Sequence, residues 1–141
     1  MAVYKSNLLP VLDYCCPAFH SMLTDYQDEA LESVQSRALQ IIYGYDIPAG
    51  EMRRRAGITT LRARRIDLTD KFAQKILLQP RFAHWFPERP VARTTRSSEQ
   101  YLETYARCER LKNSPVFYMR RRLNGKEGKT YGVRNKQYRE A

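Results

Sequence analysis

TDYQDEALESVQSRALQIIYG, Thr24 to Gly44, is the stretch that decides the fold. Thr24 followed three residues later by Gln27 forms a capping-box pattern, in which side chain and backbone at a helix start satisfy each other's free N–H groups. Asp25, Asp28, Glu29 and Glu32 fall in the early turns, where the macrodipole favours negative charge. Leu31, Val34, Ala38, Ile41, Ile42 and Tyr45 recur at near-helical spacing, and Gly44 is suited to the region of the C-cap. The pattern predicts a helix from about Asp25 to Tyr43.

Working outward, Tyr4, Leu8, Val11 and Leu12 lie at i, i+4, i+7 and i+8, one face of a helix that Pro10 kinks or restarts and Pro17 ends. Downstream, a connector runs to Pro48, and a short helix over Gly50 to Ala56 is closed by Gly57. Thr59 or Thr60 caps a longer helix from Leu61 to Leu78, with Leu61, Leu68, Phe72 and Ile76 as its apolar stripe and Gln79–Pro80 as its stop. Two amphipathic helices of similar length have to bury their stripes on each other. The expected fold is therefore all-α, a small bundle of about four helices over residues 1–79.

Residues 80–141 form the second part, either continuous with the bundle or appended to it. PRFAHWFPERP, Pro80 to Pro90, is too broken by proline for a helix and too aromatic for a free linker, so it is expected to lie against the core as an ordered loop. Beyond it the chain is polar, basic and tyrosine-rich. Helices are expected near Ser98 to Leu111 and Val116 to Leu123, ahead of a mobile tail containing GKEGKTYG.

With 141 residues the chain is one domain or less, long enough for a modest core. It holds no apolar run of membrane-spanning length and no secretory leader pattern. Three cysteines, Cys15 and Cys16 adjacent and Cys108 distant, make a poor disulfide framework and fit a reducing compartment. These features predict an intracellular protein and do not choose between nucleus and cytoplasm. The net charge of +10 is unevenly placed. Residues 1–50 carry two basic against six acidic residues, a net −4, while residues 51–141 carry 23 against nine, a net +14. Such segregation is the footprint of a polyanion-binding surface attached to a packing element, or of a basic face that serves only solubility.

No catalytic or metal site stands out. Cys15, Cys16, His20, His84 and Cys108 are suitable ligand types but lack the two closely spaced pairs that a zinc site needs, so a buried cysteine and a capping or stacking histidine are expected instead. Asp25 with Asp28, and Asp67 with Asp70, lack the strand setting of a two-metal centre, and Asp67 stands four residues before Lys71, as a helix-surface ion pair requires. No nucleophile elbow or glycine-rich phosphate loop is present. Neither enzymatic activity nor a cofactor is expected.

Basic clusters are the positive signal. Arg53, Arg54 and Arg55, then Arg62, Arg64 and Arg65, flank Gly57 and Ile58, Lys71 and Lys75 extend the second group, and Arg120, Arg121 and Arg122 follow Phe117 and Tyr118. Guanidinium forks fit phosphates and aromatic rings stack on bases, so these eleven residues are the candidate nucleic-acid contacts. Arginine at the start of a helix is opposed by the macrodipole, which points to a partner or to acidic neighbours for Arg62, Arg64 and Arg65. Pairing with the acidic helix, Asp25 to Glu32, is the competing expectation.

Several motifs carry a resemblance. Tyr4, Lys5, Ser6, Pro10, Val11, Leu12, Tyr14, Cys16, Pro17 and His20, then Leu31, Glu32, Val34, Gln35, Arg37, Ala38, Ile41 and Ile42, fall in the register of a YKSxxxPVLxYxCPxxH…LExVQxRAxxII pattern. LRARRIDLTDKFAQKILLQPRFAHWFP (61–87) and RLKNSPVFYMRRRLN (110–124) add a KFAxK core with an aromatic loop and a KNSP block with a basic run. Together they resemble the region that follows the palm in reverse transcriptases of non-LTR, LINE-type (jockey-like) retrotransposons. The resemblance implies a non-catalytic, truncated piece of an RNA-directed DNA polymerase, without the palm's tyrosine and paired aspartates. It further implies a structural role holding template and primer, weak sequence-independent contact with RNA or DNA backbone, and apolar surface left by a missing upstream polymerase domain, with self-association as its consequence. The alternative is a helical protein–protein interaction module that binds no nucleic acid; where the arginines point distinguishes the two.

Overall fold

The structure, a computed structural model, describes residues 1–88 and 100–125. Within them the fold is all-α, with one isolated bridge between Glu88 and Tyr101. A π-helical turn over Tyr4–Leu8 leads into α1 (Leu9–Asp13); α2 (Cys16–Phe19) continues as a 3-10 turn over His20–Met22. Then come α3 (Asp25–Tyr43), α4 (Ala49–Ala56), α5 (Leu61–Leu77), a 3-10 turn over Pro80–Trp85, α6 (Glu109–Lys112) and α7 (Pro115–Leu123). Four of these helices, α3, α4, α5 and α7, reach eight residues or more, and the short elements turn the chain between them.

The local signals act as expected in the long helices. Thr24 Oγ1 accepts from the Gln27 N–H and Gln27 Oε1 accepts from the Thr24 N–H, closing both arms of the capping box. Thr60 caps α5 by accepting from the Ala63 N–H. Gly57 ends α4 in the left-handed region at φ 60°, where a Cβ is strained. Pro17 plays a different part from the one expected. The chain breaks earlier, at Tyr14 and a left-handed Cys15, and Pro17 sits in the first turn of α2, where a missing N–H is harmless.

α5 is the axis of the molecule, in contact with α1, α2, α3, α7 and both 3-10 turns. Around its N-terminal end Leu61 packs with Tyr4 and Leu9, while Leu39, Met52 and Ala56 seal α3 against α4. Around its C-terminal end Ala73 and Ile76 pack with Phe86, Tyr101 and Met119, joined by Phe82, Trp85 and Val116. Residues 80–88 and 100–125 thus complete the core of the bundle, and the described part of the aromatic loop lies against it as expected. Between the two apolar ends α5 buries Arg65 and Thr69.

One expected helix does not form. Of the span 98–111, residues 100–108 are non-helical and only Glu109–Lys112 is helical. The side-chain amide of Asn124 accounts for this: its Oδ1 accepts from the Tyr101 N–H at 3.0 Å and its Nδ2 donates to the Tyr101 carbonyl at 3.1 Å, while the Leu102 N–H donates to the Pro87 carbonyl. These bonds hold Tyr101 extended with its ring in the core. The expected tail, 126–141, lies outside the described residues, as does 89–99.

Tyr4, Leu61 and Ile76 are buried as the predicted stripes have them, but at other stripe positions a neighbouring residue is buried instead. In α3 the fully buried positions are Gln35 and Leu39, not Val34 and Ile41, which are 46% and 70% exposed. In α5 they are Leu61, Arg65, Thr69, Ala73 and Ile76, with Phe72 exposed. At the N-terminus Leu9 replaces Leu8 beside Tyr4, because the π-turn puts five residues where an α-turn puts four.

Candidate functional site

The acidic turns of α3 face the N-terminus of α5. Asp28 there binds Arg65 through Oδ1 and lies 3.5 Å from Arg62 Nη1 through Oδ2. Glu32 Oε1 accepts from the Arg62 backbone N–H at 2.9 Å, adding a second cap to that of Thr60. Asp13, at the end of α1, takes the Nε–H of Arg64 at 2.5 Å. Three carboxylates therefore offset the dipole that opposes cations at this helix start. These are the acidic neighbours that the sequence left as one of two explanations.

Arg65 is the extreme case. Its side chain is fully buried, desolvation lowers its pKa, and with Asp28 it joins α3 to α5 from inside. A group so placed cannot reach a phosphate backbone without unfolding the bundle. Around it, His20 is 3% exposed, its ring 5.4 Å from that of Tyr118 in a T-shaped contact, with Nε2 3.3 Å from the Tyr118 hydroxyl. Burial, and then the cations of Arg65, Arg62 and Arg122, push His20 down to about 4, so the imidazole is neutral at physiological pH. Burial likewise raises the Tyr118 phenol and the Cys16 thiol, and Cys16 and His20 are the buried cysteine and stacking histidine of the sequence reading.

The remaining candidates divide by partner. Arg54 and Arg55 both bind Glu51 on the surface of α4, and Lys71 pairs with Asp67 at 2.7 Å. Arg122 forms a two-pronged pair with Asp70, fastening α7 to α5. Arg53 lines an open groove of acidic character with Asp25, Asp28, Glu29, Glu32 and Arg62. Arg53 and Lys75 meet no carboxylate among the described residues. Arg120 and Arg121 meet none either: they donate to the backbone carbonyls of Trp85 (2.5 Å) and Lys112 (2.7 Å), and Arg120 Nη1 also donates to Thr104 Oγ1. Of the eleven cations, Arg65 and Arg120 are buried, and the others are distributed over α4, α5 and α7.

Reading the sequence did not single out Asp13, and it named Gln35 only within a motif and Tyr118 only as an aromatic beside a basic run. Gln35 is 1% exposed and donates through Nε2 to the Thr59 carbonyl, stitching α3 to the loop before α5. An apolar groove of about 420 Å³, between Cys15, Pro17 and Ala18 on one side and Phe72, Trp85, Val116 and Met119 on the other, was also not anticipated. Among the described residues, no group of three or more His, Cys, Asp or Glu side chains comes together to hold a metal ion, and no helix is long and apolar enough to cross a membrane. In comparisons with protein families, curated proteins and solved structures, nothing matches this chain.

Proposed function

We propose that this chain is a non-catalytic helical docking module, corresponding to the post-palm region of a LINE-type reverse transcriptase, and that its partner is the apolar surface of the polymerase body that precedes this region in the family. The family assignment rests on the motifs at 3–44, 61–87 and 110–124. What carries the docking reading is the set of large apolar side chains that the fold leaves outside. The helices turn Gln35, Arg65 and Thr69 inward while Val11, Val34, Ile41 and Phe72 stay exposed, so apolar ridges are left at the flanks of the buried faces. Most of the arginines that would have gripped a template are held by Asp13, Asp28, Glu51 and Asp70.

The test is sedimentation of the purified chain at high micromolar concentration. Wild type self-associates through the uncovered ridges, and Val34→Lys with Ile41→Lys restores a monomer of unchanged helicity. A clean wild-type monomer contradicts the docking reading.

A second reading, weak backbone contact with RNA or DNA, is favoured by the net charge of +10 and by Arg53 and Lys75, which form no ion pair among the described residues. Affinity that falls with salt on a log–log slope of several units, in the monomeric variant as in wild type, would support it over docking alone.

A further inference from the structure

Arg120 and Arg121 differ from the other held arginines in a way that neither reading uses. Their acceptors are carbonyl and hydroxyl oxygens, which satisfy hydrogen bonds but leave the positive charge unopposed. Arg120 is 8% exposed, and burying a cation without a counter-charge is costly. Its pKa is lowered by desolvation, with no carboxylate to offset it. Arg121 Nε is buried and has no hydrogen-bond partner.

Both side chains line a cleft of about 400 Å³ between residues 103–106 and α7, a volume in the range of small-ligand sites. Lys112 adds a third cation, already paired with Glu109, and Glu103 is the one carboxylate in the lining. Thr104 contributes a hydroxyl. The ring of Phe117 lies under Arg120 at 5.3 Å, and Tyr105, 90% exposed, offers a free aromatic face at the rim. Fixed guanidinium groups match a phosphate's oxygens, and a free tyrosine ring matches a planar heterocycle.

We propose that this cleft binds a phosphorylated small molecule with a flat ring, by class a nucleoside monophosphate, whose phosphate meets Arg120 and Arg121 and whose ring lies on Tyr105. The site takes one nucleotide rather than tracking a strand, because its volume of about 400 Å³ is that of a small-ligand site.

Calorimetric titration of the full chain with adenosine 5′-monophosphate, adenosine and inorganic phosphate tests this, with backbone amide shifts locating the site. The monophosphate is expected to bind at least about tenfold more tightly than either fragment and to move the amides of residues 103–106 and 117–121. Arg121→Gln should weaken it by about tenfold or more, the effect of losing a charge-assisted bond. Tyr105→Ala changes an exposed side chain that the fold does not need, and it should weaken the monophosphate about fivefold or more while leaving inorganic phosphate unchanged. No binding of the monophosphate at millimolar concentration, amide shifts elsewhere, or an unaltered affinity in Tyr105→Ala overturns the proposal. Inorganic phosphate binding as tightly as the monophosphate overturns the assignment to a nucleotide.

Discussion

RARR at 62–65 and RRR at 120–122 look alike as sequence and differ in what opposes their charge. The first group is met by carboxylates: Asp28 holds Arg62 and Arg65, and Asp13 holds Arg64. In the second, among the described residues only Arg122 has a carboxylate, Asp70, while Arg120 and Arg121 rest on neutral oxygens. An arginine's role is thus set by the acceptor the fold brings to it. A carboxylate turns it into a clamp between helices; a carbonyl fixes its position and leaves its charge for something else.

The largest effect that separates the two groups is on stability. Arg65→Ala leaves Asp28 beside an empty space in the core, and breaking a buried pair in this way costs about 3 to 5 kcal/mol. Urea denaturation should read that loss, whereas Arg121→Gln should cost about 1 kcal/mol, the worth of an ordinary hydrogen bond. Arg65→Met combined with Asp28→Leu should recover much of the deficit, since an apolar pair of similar volume replaces two buried charges. Equal losses for Arg65→Ala and Arg121→Gln would erase the distinction.

Next in size is a pH effect centred on His20, which sits among Arg62, Arg65 and Arg122, with Asp70 and Tyr118 also beside it. The unfolded imidazole protonates near 6.5 and the folded one at about 4, so the unfolded state takes up the proton first. The stabilising contribution is complete above 6.5 and is lost as pH falls toward 4. Denaturation at about pH 7 and about pH 5 should differ by about 2 kcal/mol in wild type and by much less in His20→Phe. An unchanged difference in the variant assigns the effect to the carboxylates.

The smallest effect belongs to the surface of α4. Arg54 is 79% exposed on its side chain where it meets Glu51, and solvent screens such pairs. Arg54→Ala should move the urea midpoint by no more than about 0.5 kcal/mol equivalent. A larger shift would make the α4 arginines clamps as well.

The helices were legible because their signals are local. Thr24 with Gln27, Thr60 and Gly57 each act within a few residues, and each forms the cap its type implies. Which face each helix buries was not legible, because it depends on partners distant in sequence. Gln35 is inside because the Thr59 carbonyl is there to accept from it, and Arg65 is inside because Asp28 is. An apolar count around the wheel ranks Val34 and Phe72 above either. The extended run at Tyr101 was hidden for the same reason, its partner being the side chain of Asn124. For the arginines of α5, the sequence raised the acidic helix as an alternative partner to nucleic acid. It could not place Asp13 opposite Arg64, a separation of 51 residues.

The central claim, that the arginines of α5 hold the bundle together, is tested most directly by replacing Arg62, Arg64 and Arg65 together with alanine. Helicity and oligonucleotide affinity are then measured on the same samples across a salt series. Alanine favours a helix, so any loss of structure reports lost clamps and not helix propensity. The account predicts a variant that is largely unfolded without denaturant, with binding per folded molecule and its salt slope unchanged. A well-folded triple variant whose log–log salt slope drops by about two to three units would contradict it, and would make these three side chains phosphate contacts.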